Sequence, residues 1–369
     1  MVKKFWSLSM KRIDYDEICR LEYLYDAFHD NVKGKRHKSV VNQFEYELAD
    51  NLQEMYDALK NRTYQHQPYY SFEVHEPKRR EIFAAQYSDR VVNRWITDHA
   101  VLPVLSRHYI YDNAACQIDK GVHFGRGRLK HHFYKFYKAS GNKGYVLKCD
   151  IAQFFPSINQ VLLKEKLARE TFDSTTLALL YNMIDSFDNL GGRGLPLGNY
   201  SSQHFALYYL SFLDRFIKES QGFKHYVRYM DDFLILHEDK MKLSEALEQI
   251  RTFLAKELDL SLNGKTSIVA MRKGVEYLGY RFYLTVTGKL VQKLKPQAKV
   301  RLKKHIKNRK RDFYNGKIDF EKLENILSSH EGHLKSGQTY YFEKKLFGEE
   351  VFETLYEISD QSRISEQRI

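Results

Sequence analysis

Tyr226-Val227-Arg228-Tyr229-Met230-Asp231-Asp232-Phe233-Leu234-Ile235-Leu236 sets two adjacent carboxylates between two runs of apolar and aromatic residues. Such runs favour strands, so the acids fall at the turn of a β-hairpin. Neighbouring carboxylates repel one another in an apolar setting, and a divalent cation is the simplest compensation; an Asp-Asp turn open to water is the alternative. A second acid in the same setting favours the cation. Val146-Leu147-Lys148-Cys149-Asp150-Ile151-Ala152-Gln153-Phe154-Phe155-Pro156 reads as another strand, its one Asp leading into an aromatic pair.

Composition narrows the partners. The 369 residues carry a formal charge of +12 with pI near 9.2, which favours a polyanion: nucleic acid first, a membrane surface second. Hydrophobic content of 43%, with 14% aromatics, supports packed cores and argues against general disorder. Cys19, Cys116 and Cys149 are odd in number and far apart, which fits a reducing compartment and neither a disulfide framework nor a zinc site. No apolar run has transmembrane length. The basic start Met1-Val2-Lys3-Lys4-Phe5-Trp6 lacks a following apolar region or cleavage site, so a cytoplasmic location is expected, without a membrane partner.

Periodicity predicts helices over 1–60, through Ile18, Leu21, Leu24 and Phe28, then Phe44, Leu48, Leu52, Met55 and Leu59. The basic turn Lys33–Lys38 between them is either solvated or a phosphate contact. A strand pattern runs from Tyr64 to Ile82 and carries Lys78, Arg79 and Arg80, cations suited to a triphosphate. Ser88 or Asp89 is expected to cap the next helix. Tyr109–Arg128 reads as a loop whose glycines and cations, Lys120, Arg126 and Arg128, track a nucleic-acid backbone or are simply flexible surface. Helical periodicity returns over 159–186, followed by the turn Gly191-Gly192-Arg193-Gly194 and the run Leu195–Ala206, where Ser201 or Ser202 is expected to cap a helix. Residues 243–258 form an amphipathic helix. After Gly288 the chain is strongly basic, with Lys299, Lys303, Lys307 and Lys310 at helical spacing amid Arg301, Lys304, Arg309 and Arg311. That pattern suits phosphate neutralisation. His330 and His333 lack the neighbours of a metal site. Residues 359–369 are expected to fray. No internal repeat and no separate nuclease domain is visible.

Together the two acidic segments resemble motifs A and C of reverse transcriptases, an Asp-x4-[Phe/Tyr] strand and a Tyr-x-Asp-Asp hairpin. Further motifs follow in the family's order. Pro77-Lys78-Arg79-Arg80-Glu81-Ile82 resembles the fingers hairpin, which implies that Lys78 and Arg80 hold nucleotide phosphates. Asp89-Arg90-Val91-Val92 is similar to the string of bacterial enzymes related to group II intron proteins. Leu195-Pro196-Leu197-Gly198-Asn199-Tyr200-Ser201-Ser202-Gln203 resembles motif B. There Leu197 stands for the usual Gln and Gln203 for the usual Pro, a form typical of diversity-generating retroelements and some related defence enzymes. Leu260–Thr266 resembles motif D, which makes Lys265 a candidate acid for pyrophosphate. Tyr277–Phe282 resembles motif E, and Gly332-His333-Leu334-Lys335 a thumb segment. Gln117-Ile118-Asp119-Lys120-Gly121 departs from the family's Arg-x-Gly-Lys-Gly string.

The resemblance spans roughly 65–340 and implies an α+β chain with a right-hand polymerase fold, an antiparallel palm sheet and a helical basic thumb. The expected divisions are a helical extension 1–60, fingers 61–145, palm 146–285 including helices 159–190, thumb 286–358 and a tail 359–369. Asp150, Asp231, Asp232 and the Ile151 carbonyl would ligate two Mg²⁺ ions, with Mn²⁺ as a substitute. Set roughly 4 Å apart, these would activate a primer 3′-hydroxyl and stabilise departing pyrophosphate. Phe155 would exclude a 2′-hydroxyl, while Leu197, Gly198 and Gln203 line the nucleotide. An apolar Leu197 cannot enforce hydrogen-bond geometry, which implies low fidelity. The implied activity is RNA-directed DNA synthesis from dNTPs on a template or non-coding RNA, yielding cDNA. The retroelement context brings a small basic accessory protein and leaves an oligomer open. The alternatives are an antiphage defence enzyme using its own non-coding RNA, and a catalytically silent RNA-binding scaffold. Priming by RNA, DNA or one of the 27 tyrosines stays open.

Overall fold

A computed structural model describes residues 12–75, 79–187, 191–335 and 337–347, without the side chains of Arg80 and His333. The amino-terminal segment Met1–Trp6, Lys78, the end of the expected thumb and the tail 359–369 lie outside these. The described chain forms two compact units.

The first comprises 12–120, 149–233 and 244–266. It opens with helices α1 (Tyr15–Ile18), α2 (Leu21–Val32), α3 (Ser39–Tyr46) and α4 (Leu48–Lys60), where the apolar stripe predicts them. Leu24, Phe28, Leu52 and Leu59 bury that stripe. The turn Lys33–Lys38 is tied to protein carboxylates, Lys33 to Asp30 and Arg36 to Glu45. Strands β1 (Tyr70–Val74) and β2 (Arg80–Ala84) pair antiparallel, Val74 opposite Arg80. Helix α5 (Tyr87–Ile96) runs through a π-helical turn, Thr97–Val101, into α6 (Leu102–Leu105). Its N-cap is Gln86 rather than Ser88 or Asp89. The Asp89 carboxylate is buried and occupied elsewhere, accepting from the Tyr64 hydroxyl at 2.6 Å and the Gln67 amide at 3.2 Å.

Residues Val122–Ser140 form one long helix, α7, where a loop is expected from 109 to 128. Glycine spacing misleads here. Leu129, Phe133 and Phe136 are fully or almost fully buried, and that anchorage outweighs the roughly 1 kcal/mol cost of each of Gly125 and Gly127. The chain continues through β3 (Tyr145–Asp150), α8 (Phe154–Ser157), α9 (Gln160–Leu167), α10 (Ser174–Asp185) and α11 (Tyr200–Arg215), the last extended by a π turn, Phe216–Ser220. Asn199 is the N-cap of α11. Ser201 and Ser202 lie inside its first turn instead, and the Ser201 hydroxyl donates to Asn93 at 2.5 Å. Next come β4 (Tyr226–Tyr229), β5 (Asp232–His237), α12 (Lys240–Glu257) and β6 (Ser267–Ala270), and the sheet order is β4-β5-β3-β6.

The second unit comprises 121–148, 234–243 and 267–347 apart from the residues set aside above. Strand β6 runs antiparallel to β3, Leu147 opposite Ile268. Strands β7 (Val275–Tyr277), β8 (Tyr280–Leu284) and β9 (Leu290–Leu294) form an antiparallel meander, turning first at Leu278-Gly279 with φ of 45° and 88°. Helices α13 (Pro296–Tyr314), α14 (Phe320–Lys335) and α15 (Tyr340–Leu346) follow, with Ile306, Leu323 and Leu327 as their core. Among the described residues no helix is long and apolar enough to cross a membrane.

Candidate active site

Asp150 is the last residue of β3 and Asp232 the first of β5, neighbouring strands of one sheet. Asp231 occupies the turn between β4 and β5, and its carbonyl accepts the Ile151 amide at 3.3 Å. The three acids predicted from sequence therefore meet through their backbones. All three are partly exposed at the end of an otherwise buried sheet. Cys149, beside these acids, is fully buried. Burial raises its thiol pKa first, Arg251 opposes, and the charges of Asp232 and Asp150 raise it further. Two non-glycine residues in left-handed conformation bend the chain beside these acids, Met230 at φ 53° and Gln153 at φ 44°. Backbone strain of this kind concentrates where surrounding structure over-determines the site.

What holds the Met230 turn is a buried ion pair that sequence reasoning missed. Arg228 and Asp214 are both fully buried. The guanidinium donates to both Asp214 oxygens, at 2.7 and 2.5 Å, and to the Met230 carbonyl at 3.0 Å. The Tyr226 hydroxyl donates to the same carboxylate at 2.7 Å. Arg228 is also fixed by its backbone, its amide donating to Asp112 and its carbonyl accepting from Ala114. The available signal was a lone Arg in an apolar strand and a lone Asp in an apolar helix.

The segment after α12 lies alongside the Asp150 strand end. Asn263 donates its amide to the Asp150 carbonyl at 2.7 Å, Ala152 donates to Ser261 at 2.9 Å, and Ile151 bridges Leu262. Lys265, two residues on, is exposed, its amide bound to the Asn263 side chain. Phe154 and Phe155 sit on a helical turn rather than a strand: Phe154 is core, Phe155 half-buried. The Phe155 carbonyl accepts the Leu195 amide at 3.0 Å, which brings the glycine turn onto α8. A side chain at Gly194, φ 90°, would press on Pro156 and Phe187 at 3.3 Å. Leu197 and Gln203 are partly exposed and Gly198, φ 112°, is open. Asn199 fastens this loop to Tyr69 with a 2.8 Å hydrogen bond. Arg80 lies at the base of the β1–β2 hairpin turn.

The predicted nucleic-acid cations fare differently. The Lys120 ammonium is saturated by its own loop, donating to Tyr111, Asn113 and Gln117 at 2.9 to 3.0 Å. Arg126 is 2% exposed and lies over the Tyr280 ring, so burial removes it from a backbone-tracking role; Arg128 is half-buried. On α13, Lys299 and Lys303 flank the Phe342 ring at 5.3 and 5.7 Å, Lys307 is exposed, and burial lowers the pKa of Lys310. The His330 ring stands 3.0 Å from that of His305.

The donor set at the three acids is hard oxygen, which suits Mg²⁺ or Mn²⁺ and excludes soft-metal chemistry. Among the described residues no group of three or more His, Cys, Asp or Glu side chains is arranged to hold a metal ion by itself. Carboxylates on adjacent strands, completed by waters and substrate phosphates, fit such an ion.

A family model for reverse transcriptase (RNA-dependent DNA polymerase) matches residues 76–282. Among solved structures, apo telomerase from Candida tropicalis, truncated from its C-terminal domain, is 15% identical with a TM-score of 0.46, covering 62% of this chain and 56% of that one. Telomerase from Candida albicans in complex with a TWJ fragment of telomeric RNA is 14% identical with a TM-score of 0.44, covering 75% and 54%. The chain thus spans about half the length of these structures. No curated protein matches. The family match takes in more than half of the 369 residues and every acid of the site, and the chain belongs to the reverse transcriptase family, RNA-directed DNA polymerases of right-hand fold.

Proposed function

We propose that Asp150, Asp231 and Asp232 form the catalytic centre, holding divalent ions of which Mg²⁺ is the first choice. The observation that carries this is the meeting of the two acidic segments, the Asp231 carbonyl on the Ile151 amide. Such ions, when bound, supply positive charge to the primer hydroxyl and the leaving pyrophosphate. The chain's own residues do the rest. Lys78 and Arg80 grip the triphosphate, Phe155 and the Leu197–Gly198 turn shape the sugar and base pocket with Gln203, and Lys265 delivers a proton to pyrophosphate. Lys299, Lys303, Lys307 and Lys310 meet the phosphates of the primer–template duplex.

The Leu197 and Gln203 substitutions support the reading of a diversity-generating retroelement enzyme, copying a cognate RNA into error-rich cDNA beside a small basic accessory protein. The test is to purify the chain with its bound RNA, supply Mg²⁺ and dNTPs, and sequence RNA and DNA beside an Asp231→Ala/Asp232→Ala variant. Synthesis is expected to fall at least about a thousandfold in the variant, since charge stabilisation at the reacting centre is lost. Adenine-targeted errors support the retroelement reading; repetitive product from a resident non-coding RNA replaces it with antiphage defence. Bound RNA and no DNA under several primers and metals leaves a scaffold.

A further inference from the structure

The sequence of α7, Val122–Ser140, contains no Asp or Glu. Its buried side, made by Gly125, Arg126, Leu129, His132, Phe133 and Phe136, fixes which residues face water. Those are His123, Lys130, His131, Tyr134, Lys135 and Lys138, all exposed. Their three-, four- and five-residue spacings put them on one side of the helix, and Lys130 to Lys138 spans about 12 Å at roughly 1.5 Å per residue. Tyr134 is 54% exposed, with the Lys138 ammonium 4.8 Å from its ring centre.

Several surface cations elsewhere in the chain have carboxylate partners, as in Arg36–Glu45, Lys164–Asp185 and Arg193–Asp259. Among the described residues no carboxylate pairs with Lys130, Lys135 or Lys138. Burial and then the nearby Arg126 charge lower the pKa of Lys130, so like charges crowd this helix without internal relief. Helix-dipole attraction accounts for Lys138 in the last turn but not for Lys130 in the middle.

We infer that this face of α7 binds RNA, Lys130, Lys135 and Lys138 neutralising successive phosphates and Tyr134 offering a ring to an unpaired base. Lys130, Lys135 and Lys138 follow one another by about 7.5 and 4.5 Å along the helix axis, a spacing that lets their long side chains meet successive phosphates of one strand, and base stacking tolerates any sequence. Only the choice of RNA over DNA rests on the proposed function. None of these residues belongs to the proposed catalytic or nucleotide-gripping set.

The experiment measures binding of the full chain to a labelled RNA hairpin with a single-stranded tail, over about 50 to 200 mM salt. In Lys130→Gln/Lys135→Gln/Lys138→Gln the slope of log affinity against log salt is expected to fall by about 2 to 3, the release from three phosphates. A charge-matched control, Lys224→Gln/Lys242→Gln/Lys256→Gln, alters exposed lysines elsewhere and keeps the wild-type slope. Tyr134→Ala weakens binding with the slope unchanged. An unaltered slope in the α7 variant overturns the inference. So does equal loss in the control. If wild type makes no DNA while the α7 variant alone loses RNA, this inference stands and the catalytic reading falls.

Discussion

At the scale of single residues, Arg228 determines the turn that presents Asp231 and Asp232. A fully buried guanidinium is costly unless every donor is used, and here it is shared between Asp214 and the Met230 carbonyl. Arg228→Met is expected to destabilise the chain by about 3 to 5 kcal/mol, because Asp214 keeps a buried charge. Arg228→Met/Asp214→Leu removes that charge and should recover most of the loss. It should not recover synthesis, since the Met230 carbonyl still lacks its donor. Urea unfolding beside single-turnover primer extension separates the two effects; full activity in the stable double variant would show that the turn needs no such anchor. The three acids were legible because carboxylates in apolar strands are conspicuous and their order is informative. The pair that holds them was not, because sequence shows that Arg228 needs a partner without saying which acid supplies it.

Elements were legible where one period dominated. The strand β1 alternates through Tyr70, Phe72 and Val74, the hairpin at Tyr226–His237 reads as apolar runs on both sides of its acids, and α10, α12 and α13 carry stripes. Helix α7 was hidden because local glycine chemistry and tertiary burial disagree, and burial won. It is also fitted closely to the β8–β9 turn: a side chain at Gly288, φ 78°, would overlap the Tyr137 ring. Gly288→Ala therefore incurs both left-handed backbone strain and displacement of a ring, and should cost about 2 kcal/mol or more. Gly127→Ala, whose site is open, should stabilise α7 by up to about 1 kcal/mol. Thermal melts of the two variants test the contrast, and equal melting temperatures would mean that the turn relaxes freely.

For the molecule as a whole, ordered motifs revealed the family, whereas charges sequestered on folding came only with the structure, and these set its response to acid. His204 is 1% exposed, and neither ring nitrogen has a hydrogen-bond partner among the described residues. Burial, then the nearby Arg94 charge, holds its pKa down to about 4. Unfolding returns it to the usual value near 6.5, so between those limits the unfolded chain binds more protons and stability rises with pH. Glu170 acts in a lower window. Burial alone would raise it, but hydrogen bonds from His108, Tyr208 and Arg107 draw it to about 2, and its contribution fades only as pH falls from about 4.5. Going from about pH 7 to pH 5, His204 should account for about 2 kcal/mol of lost unfolding free energy. His204→Leu, set between the rings of Tyr109 and Tyr200, removes that titration and should flatten the curve across this interval without altering it below pH 4. Urea unfolding of both proteins across the range decides it, because parallel curves would show that the imidazole is solvated or paired in the folded chain.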